Sequence, residues 1–298
     1  MRAVLLDAGR PESLHPLTCT RELADCPVAN RPLCDWQRDR IAQAGFSEEP
    51  HDLSLVCTGA AWLSPALLAT LRRATRPTIV HDNSGVPLAW VNITPAVPDQ
   101  AHNIPLDEAS RHIRFPWDLL AINEELVGGL SEDVIEGEIS PGVTVEGHIS
   151  LGAGSRLLPG VFIEGNAVIG SDCKIGPNCY IRGSTSVGNG CHLGQAVEIK
   201  NAILMNGVGI GHLSYCGDSI VGEDTNFGAG TITANFRHDG ANHRSTVDGA
   251  LLDTGRRKLG ATIGDDVHTG IHTSIYPGRK IWPHQSTRPG TIVQRDLR

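Results

Sequence analysis

Between positions 211 and 235 a histidine, a tyrosine and two asparagines gather around a glycine-rich turn. Gly211-His212-Leu213-Ser214-Tyr215-Cys216-Gly217-Asp218 is followed by Asn226-Phe227-Gly228-Ala229-Gly230 and then by Asn235. An imidazole titrates near neutral pH and can take the proton that an amine loses as it attacks an acyl group, so His212 is the candidate base. Asparagine side chains can donate to a developing oxyanion or orient a substrate, which is the chemistry open to Asn226 and Asn235. Gly228-Ala229-Gly230 allows a ligand to approach the backbone closely. The same residue types also suit an ordinary turn of a repeat in which the histidine is structural, and residue types alone leave both readings open.

The element that must position these residues is a repeat. From Ile139, steps of six residues meet Val145, Leu151, Leu157, Ile163 and Ile169, and continue through aliphatic residues to Met205. A period of six fits neither a 3.6-residue helix nor a single long strand. It fits a solenoid of short strands that each send one aliphatic inward, with a turn between strands. Four residues after each anchor stand small or β-branched residues, among them Val161, Ala167, Cys173, Cys179 and Cys191. After Met205 the register breaks, and it resumes with Val221, Phe227, Ile263, Thr269, Ile275 and Ile281. The interval from Ala234 to Ala261 is expected to be a loop leaving the coil, and long loops in compact architectures are commonly functional. It sets Arg237, Arg244, Arg256, Arg257 and Lys258 against Asp239, Asp248 and Asp253. A positive loop suits a phosphate-bearing ligand, and Arg256, Arg257 and Lys258 are its candidate contacts.

Residues 1–115 lack the repeat and alternate strands with helices: strands at Ala3–Leu6, Leu53–Cys57, Thr78–His81 and Leu88–Val91, helices at Trp36–Ala44 and Ser64–Ala74. Asn83-Ser84-Gly85 reads as a turn. This pattern suggests a small α/β domain. Residues 116–298 form the second expected domain, opening with a connector helix from Phe115-Pro116-Trp117 that ends at Gly128-Gly129. The chain carries 25 basic and 33 acidic residues, a formal charge of −8. That balance argues against nucleic acid or an anionic membrane surface as partner. No apolar run has the length of a membrane span, and MRAVLLDAGR is not expected to be a signal peptide. Eight cysteines without a CxxC pair read as reduced structural thiols in a cytoplasmic protein.

Two resemblances sharpen these readings. Ala8-Gly9, Pro16-Leu17-Thr18, Thr20-Arg21 and Pro27-Val28-Ala29-Asn30-Arg31-Pro32-Leu33 resemble the opening of sugar-phosphate nucleotidyltransferases. Pro11 stands where that family has its second loop glycine, Ser13 where it has an arginine, and Leu23 where it has a lysine. Proline removes a backbone N–H that could cradle phosphate. The first domain therefore reads as a shortened relative that has lost nucleotidyl transfer.

The segments GHLSYCGDS and NFGAGTITANFRHDGAN resemble the acetyltransferase half of the bifunctional N-acetylglucosamine-1-phosphate uridylyltransferase/glucosamine-1-phosphate N-acetyltransferase family. DTGRRKLGATIGDDVHTGIHTSIYPGRKI is similar to the archaeal-type sugar-1-phosphate nucleotidyltransferase/acetyltransferases, as is the FPWDLL connector. The resemblance implies a mainly β fold: a left-handed parallel β-helix of hexapeptide repeats, preceded by the small α/β domain and assembled as a homotrimer with sites between subunits. It implies an acetyl-CoA-dependent N-acetyltransferase acting on an amino sugar 1-phosphate. His212 matches the general base; Arg182 and Lys200 match ligands of the sugar phosphate; Tyr215 and Asn226 match sugar contacts. Asn235 matches the residue placing the acetyl carbonyl, and Ala229 a backbone contact to acetyl-CoA, for which Arg256, Arg257 and Lys258 of the positive loop are further candidate contacts. The chain departs from the family at His243, where a lysine is usual, and at Ile271, where the bacterial enzyme has a serine that contacts acetyl-CoA.

Three other functions remain to be weighed. A non-catalytic sugar-nucleotide-binding or scaffold protein would fit the shortened first domain, and would be stabilised by ligand without forming product. Nucleotidyl transfer would need a loop lacking its Gly, Arg and Lys to work. Zinc-dependent carbonic anhydrase chemistry on the same solenoid needs three histidines on one metal. Gly217 stands where that family would supply a partner for His212, and no metal site is expected.

Overall fold

The computed structural model describes residues 2–47, 54–92 and 101–298. The repeat forms a solenoid of parallel strands stacked into three sheets of eight, seven and eight strands. The first face runs from Val134–Ile135 to Lys280–Ile281, the second from Glu138–Ile139 to His268–Thr269, and the third from Thr144–Glu146 to Ile292–Val293. Each early coil takes three steps of the repeat, one per face, since Ile163 pairs with Ile181 and Ile181 with Ile199. The anchor rows point inward as expected: Leu157, Ile163, Ile175, Ile181, Leu193 and Ile199 have no exposed surface. Each contributes about 1.5–3 kcal/mol by leaving water. Cys173, Cys179 and Cys191 fill the corners, and burial pushes the Cys179 thiol up to about 11.

The structure corrects the repeat in three places. Ile139 is 39% exposed, because the first coil has no coil beneath it. Leu204, not Met205, pairs with Val187 and then with Val221. The chain thus turns the corner holding Asn201, whose φ is 49°, in a shorter step than the repeat prescribes, and this shifts the register. The interval after Ala234 is not a plain loop. Arg244–Val247 and Ala250–Asp253 pair as an antiparallel hairpin. Its tip, Asp248-Gly249, has φ of 48° and 78°, the positive pair that a tight hairpin turn needs and that Asp-Gly supplies.

The chain divides into two units, and the solenoid unit includes Glu12–Thr20, Pro27–Asn30 and Phe115–Arg298. Within it, the connector helix α1 spans Pro116–Gly128. Asp118 accepts the Phe115 N–H at 2.9 Å, closing its first turn. Asn123, fully buried, binds the helix to the first face. Its Oδ1 accepts from Ala29 N–H and Ser186 Oγ, both at 2.8 Å, and its Nδ2 donates to the Ser184 carbonyl at 2.8 Å.

The other unit is an α/β layer. Its five-stranded sheet has the order Arg2–Leu6, Ser54–Thr58, Pro87–Val91, Thr78–His81, His102–Pro105. The expected hairpin between Thr78–His81 and the following strand forms, antiparallel. The expected strand start at Leu53 lies outside the described residues, and His102–Pro105 was missed because it has little apolar alternation. Two helices, Leu33–Gln43 and Pro65–Arg73, accompany the sheet. The Ser64 hydroxyl caps the second by accepting the Leu67 N–H at 3.0 Å. Among the described residues no helix is long and apolar enough to cross a membrane.

Candidate functional site

On the third face each inward residue is flanked by two outward ones, as a pleated strand requires. Tyr180 and Arg182 flank Ile181, Glu198 and Lys200 flank Ile199, and Tyr215 and Gly217 flank Cys216. Arg182, Lys200 and Gly217 are therefore neighbours on successive coils. Arg182 Nη2 reaches Glu198 Oε1 at 2.7 Å. Lys200 Nζ donates to both oxygens of Asp218, at 2.8 and 3.1 Å. A Cβ on Gly217 would collide with the Tyr215 hydroxyl and lie 2.8 Å from Asn235 Nδ2. Glycine at this point lets both side chains cross the face.

Asp218 occupies the next corner, with φ of 49°, a conformation that Asp tolerates better than most residues. Its carboxylate also accepts from Asn201 Nδ2 at 3.0 Å and Asn235 Nδ2 at 2.5 Å. Asn235 Nδ2 donates to the Tyr215 hydroxyl as well, at 2.8 Å. Burial, then the charges of Asp218 and Glu198, push Tyr215 up to about 12, so it stays a hydroxyl at neutral pH. Asn201 Nδ2 also donates to Glu124 of α1 at 2.6 Å, and Glu124 in turn binds the Arg256 guanidinium.

His212 ends a strand of the second face, Gly209–His212. Leu213, with φ of 52°, turns the corner toward Tyr215. The backbone at His212 is pinned, since its carbonyl accepts from Ser214 Oγ at 2.8 Å and Gly230 N–H at 3.1 Å. The imidazole is exposed, and among the described residues it has no hydrogen-bond partner. Gly209 pairs with Asn226, and the same register carried onward sets Ala229 beside His212 on the next coil. Asn226 is exposed on the second face and pairs with His268.

The candidate residues thus fall on both sides of one corner. Lys200 and Asn235 meet at Asp218, Tyr215 joins them through Asn235, and Arg182 lies beside Lys200. His212, Ala229 and Asn226 share the second face. Arg256 is drawn to α1, whereas Arg257 and Lys258 are exposed, with Arg257 Nε on the Gly240 carbonyl at 3.1 Å. His243 is buried and its Nε2 lies 2.9 Å from the Asn235 carbonyl. Burial holds it below the usual imidazole range. Among the described residues no group of three His, Cys, Asp or Glu is arranged to hold a metal. A cavity of about 510 Å³ adjoins Asn235, lined by Ala234, Phe236, Arg237, His238, Asp239, Tyr276 and Pro277. Sequence reasoning missed Asp218, Glu198, Asn201 and Glu124. For Asp218 a signal existed: an acid one early-coil length after Lys200.

Residues 157–289 match the family model of the GMPPB C-terminal domain. A bifunctional sugar-1-phosphate nucleotidylyltransferase/acetyltransferase of Sulfurisphaera tokodaii is 49% identical over 102 residues, 34% of this chain and 25% of that protein. A bifunctional protein GlmU of Methanococcus maripaludis is 47% identical over 196 residues, 66% of this chain and 47% of that protein. The solved Francisella novicida UDP-N-acetylglucosamine acyltransferase overlaps 56% of this chain and 63% of its own at 15% identity, with a TM-score of 0.30. The chain spans about half the length, or less, of the curated relatives it matches. Its C-terminal part is homologous to proteins named bifunctional sugar-1-phosphate nucleotidylyltransferase/acetyltransferase and bifunctional protein GlmU.

Proposed function

We propose that this chain is an acetyl-CoA-dependent N-acetyltransferase whose acceptor is an amino sugar 1-phosphate. The observation that carries the reading is His212: an exposed imidazole on a pinned backbone, without a hydrogen-bond partner among the described residues, beside Ala229 and one corner from the Lys200–Tyr215–Asn235 cluster. His212 takes the amine proton as nitrogen attacks the thioester carbonyl. The carbon–sulfur bond breaks and the thiolate leaves, to be protonated. Lys200, Arg182, Tyr215 and Asn226 hold the sugar phosphate. Asn235 and Ala229 place the acetyl group, and the cavity next to Asn235, together with Arg257 and Lys258, receives the donor. Arg256 lies at the acceptor side instead, through its bond to Glu124.

Acetyl-CoA and a panel of amino sugar 1-phosphates, followed by mass spectrometry, test the reading. It expects an acetylated product, and His212→Ala lowers turnover roughly 10²–10⁴-fold. Unchanged turnover in that variant ends the assignment. The functional assembly is proposed to be a trimer, which the exposed Leu213, Ile232, Phe236, Ile271 and Ile292 support; light scattering reading a monomer at working concentration rejects it. Residues 1–115 are proposed to be a shortened nucleotidyltransferase-like domain without transfer activity. UTP or dTTP with a sugar 1-phosphate is then expected to release no pyrophosphate.

A further inference from the structure

We infer that Asp218 is a positioning residue: it fixes the side-chain amide of Asn235, and so leaves the hydroxyl proton of Tyr215 free to donate to an oxygen of the bound amino sugar. The identity of that ligand rests on the acyltransferase reading; the hydrogen-bond argument does not. The Asp218 side chain is 3% exposed and has the Lys200 ammonium on both oxygens. A carboxylate facing an ammonium accepts. The Asn235 group 2.5 Å from Asp218 Oδ2 is therefore its NH2 and not its carbonyl, an orientation that follows from hydrogen-bond chemistry. The second N–H of that NH2 lies on the Tyr215 oxygen at 2.8 Å. Tyr215 accepts there, and its own proton is not spent in that bond.

Among the described residues the Tyr215 hydroxyl has no second hydrogen-bond partner, and burial keeps it protonated. Gly217 leaves the space in which it lies. The result is a directed neutral donor on the third face, one coil from Lys200. Remove the charge of Asp218 and the logic reverses. An amide at 218 offers one acceptor oxygen, which Lys200 claims. Its NH2 then faces Asn235, which turns its carbonyl toward both 218 and Tyr215. Tyr215 must then donate to Asn235, and the free proton is gone.

The test is the effect of Tyr215→Phe in two backgrounds, read as the dissociation constant of glucosamine 1-phosphate by calorimetry. In the otherwise unchanged protein Tyr215→Phe is expected to weaken binding about tenfold, the scale of one hydrogen bond. In Asp218→Asn, which keeps the corner backbone accessible, the same change is expected to cost less than about twofold. If Asp218→Asn does not fold, the exchange Asp218→Asn with Asn235→Asp replaces it. That pair preserves total charge, and its carboxylate at 235 also claims the Tyr215 proton. A tenfold penalty that persists in either background overturns the inference, as does the absence of any penalty in the unchanged protein. Acetylation is followed in parallel. Binding with the expected pattern but no product rejects the enzyme and keeps the inference. Product with a persistent penalty keeps the enzyme and rejects the inference. No binding at all rejects both.

Discussion

A single methyl group at Gly217 would be felt by two candidate site side chains at once. The clash falls on the tip of Tyr215 and on the Asn235 amide, not on backbone, so side chains can move and the coil persists. Gly217→Ala is therefore expected to shift Tm little while weakening acceptor binding about tenfold; a large Tm loss with binding intact contradicts this. In the α/β unit, Asp82 is held by a different balance. Burial raises its carboxyl, but bonds from His112 at 2.8 Å and from the Val86 and Ser84 N–H groups outweigh it and leave it lowered. A lowered folded value contributes stability above the unfolded carboxyl range of about 3.9 and loses it as pH falls through the folded value. Asp82→Asn is expected to flatten the fall in urea midpoint below about pH 4. An unchanged acid slope would assign that fall to other carboxylates. His212, Tyr215 and Asn235 could be named as candidates because their types carry chemistry and their spacing is local. Asp218 left a trace in its spacing, one early-coil length after Lys200, but its role was not legible, because a slightly shorter coil sets Gly217 opposite Lys200 and puts Asp218 at the corner. Glu124 lies far away in sequence, and only the docking of α1 brings it to Asn201.

Between coils, backbone approaches backbone. A Cβ on Gly194 would collide with the Gly211 carbonyl oxygen, an atom that cannot swing aside. Gly194→Ala is expected to cost about 1–3 kcal/mol, the scale of overpacking, measured by denaturant titration; a neutral result would mean that the coils part easily. The helix α1 hangs on Asn123, a fully buried residue whose side chain makes three hydrogen bonds. Asn123→Leu is expected to strand the Ala29 N–H and the Ser184 carbonyl and to destabilise by about 1–3 kcal/mol per orphaned group. The coil faces could be read from the period of the repeat, because an inward aliphatic is needed at every strand. The hairpin within the excursion could not, since Arg244–Val247 buries only Ser245 and Val247, Ala250–Asp253 is largely exposed, and the two strands carry mixed charge. Its Asp248-Gly249 turn was the one local sign.

At the scale of the molecule, the excursion returns the chain to the register it left. Val221 pairs with Ile263 across the whole excursion, and Ile263 pairs with Ile281 across an ordinary coil. The extra chain in the first of these spans is cargo that the coil carries without altering its own stacking. A solenoid of this kind keeps its order in the vertical pairing of strands, so the segment between Ala234 and Ala261 is a socket. Sequences of other lengths can be plugged in there while the rungs above and below still meet, and the same scaffold can be refitted for a different ligand by exchanging one cassette.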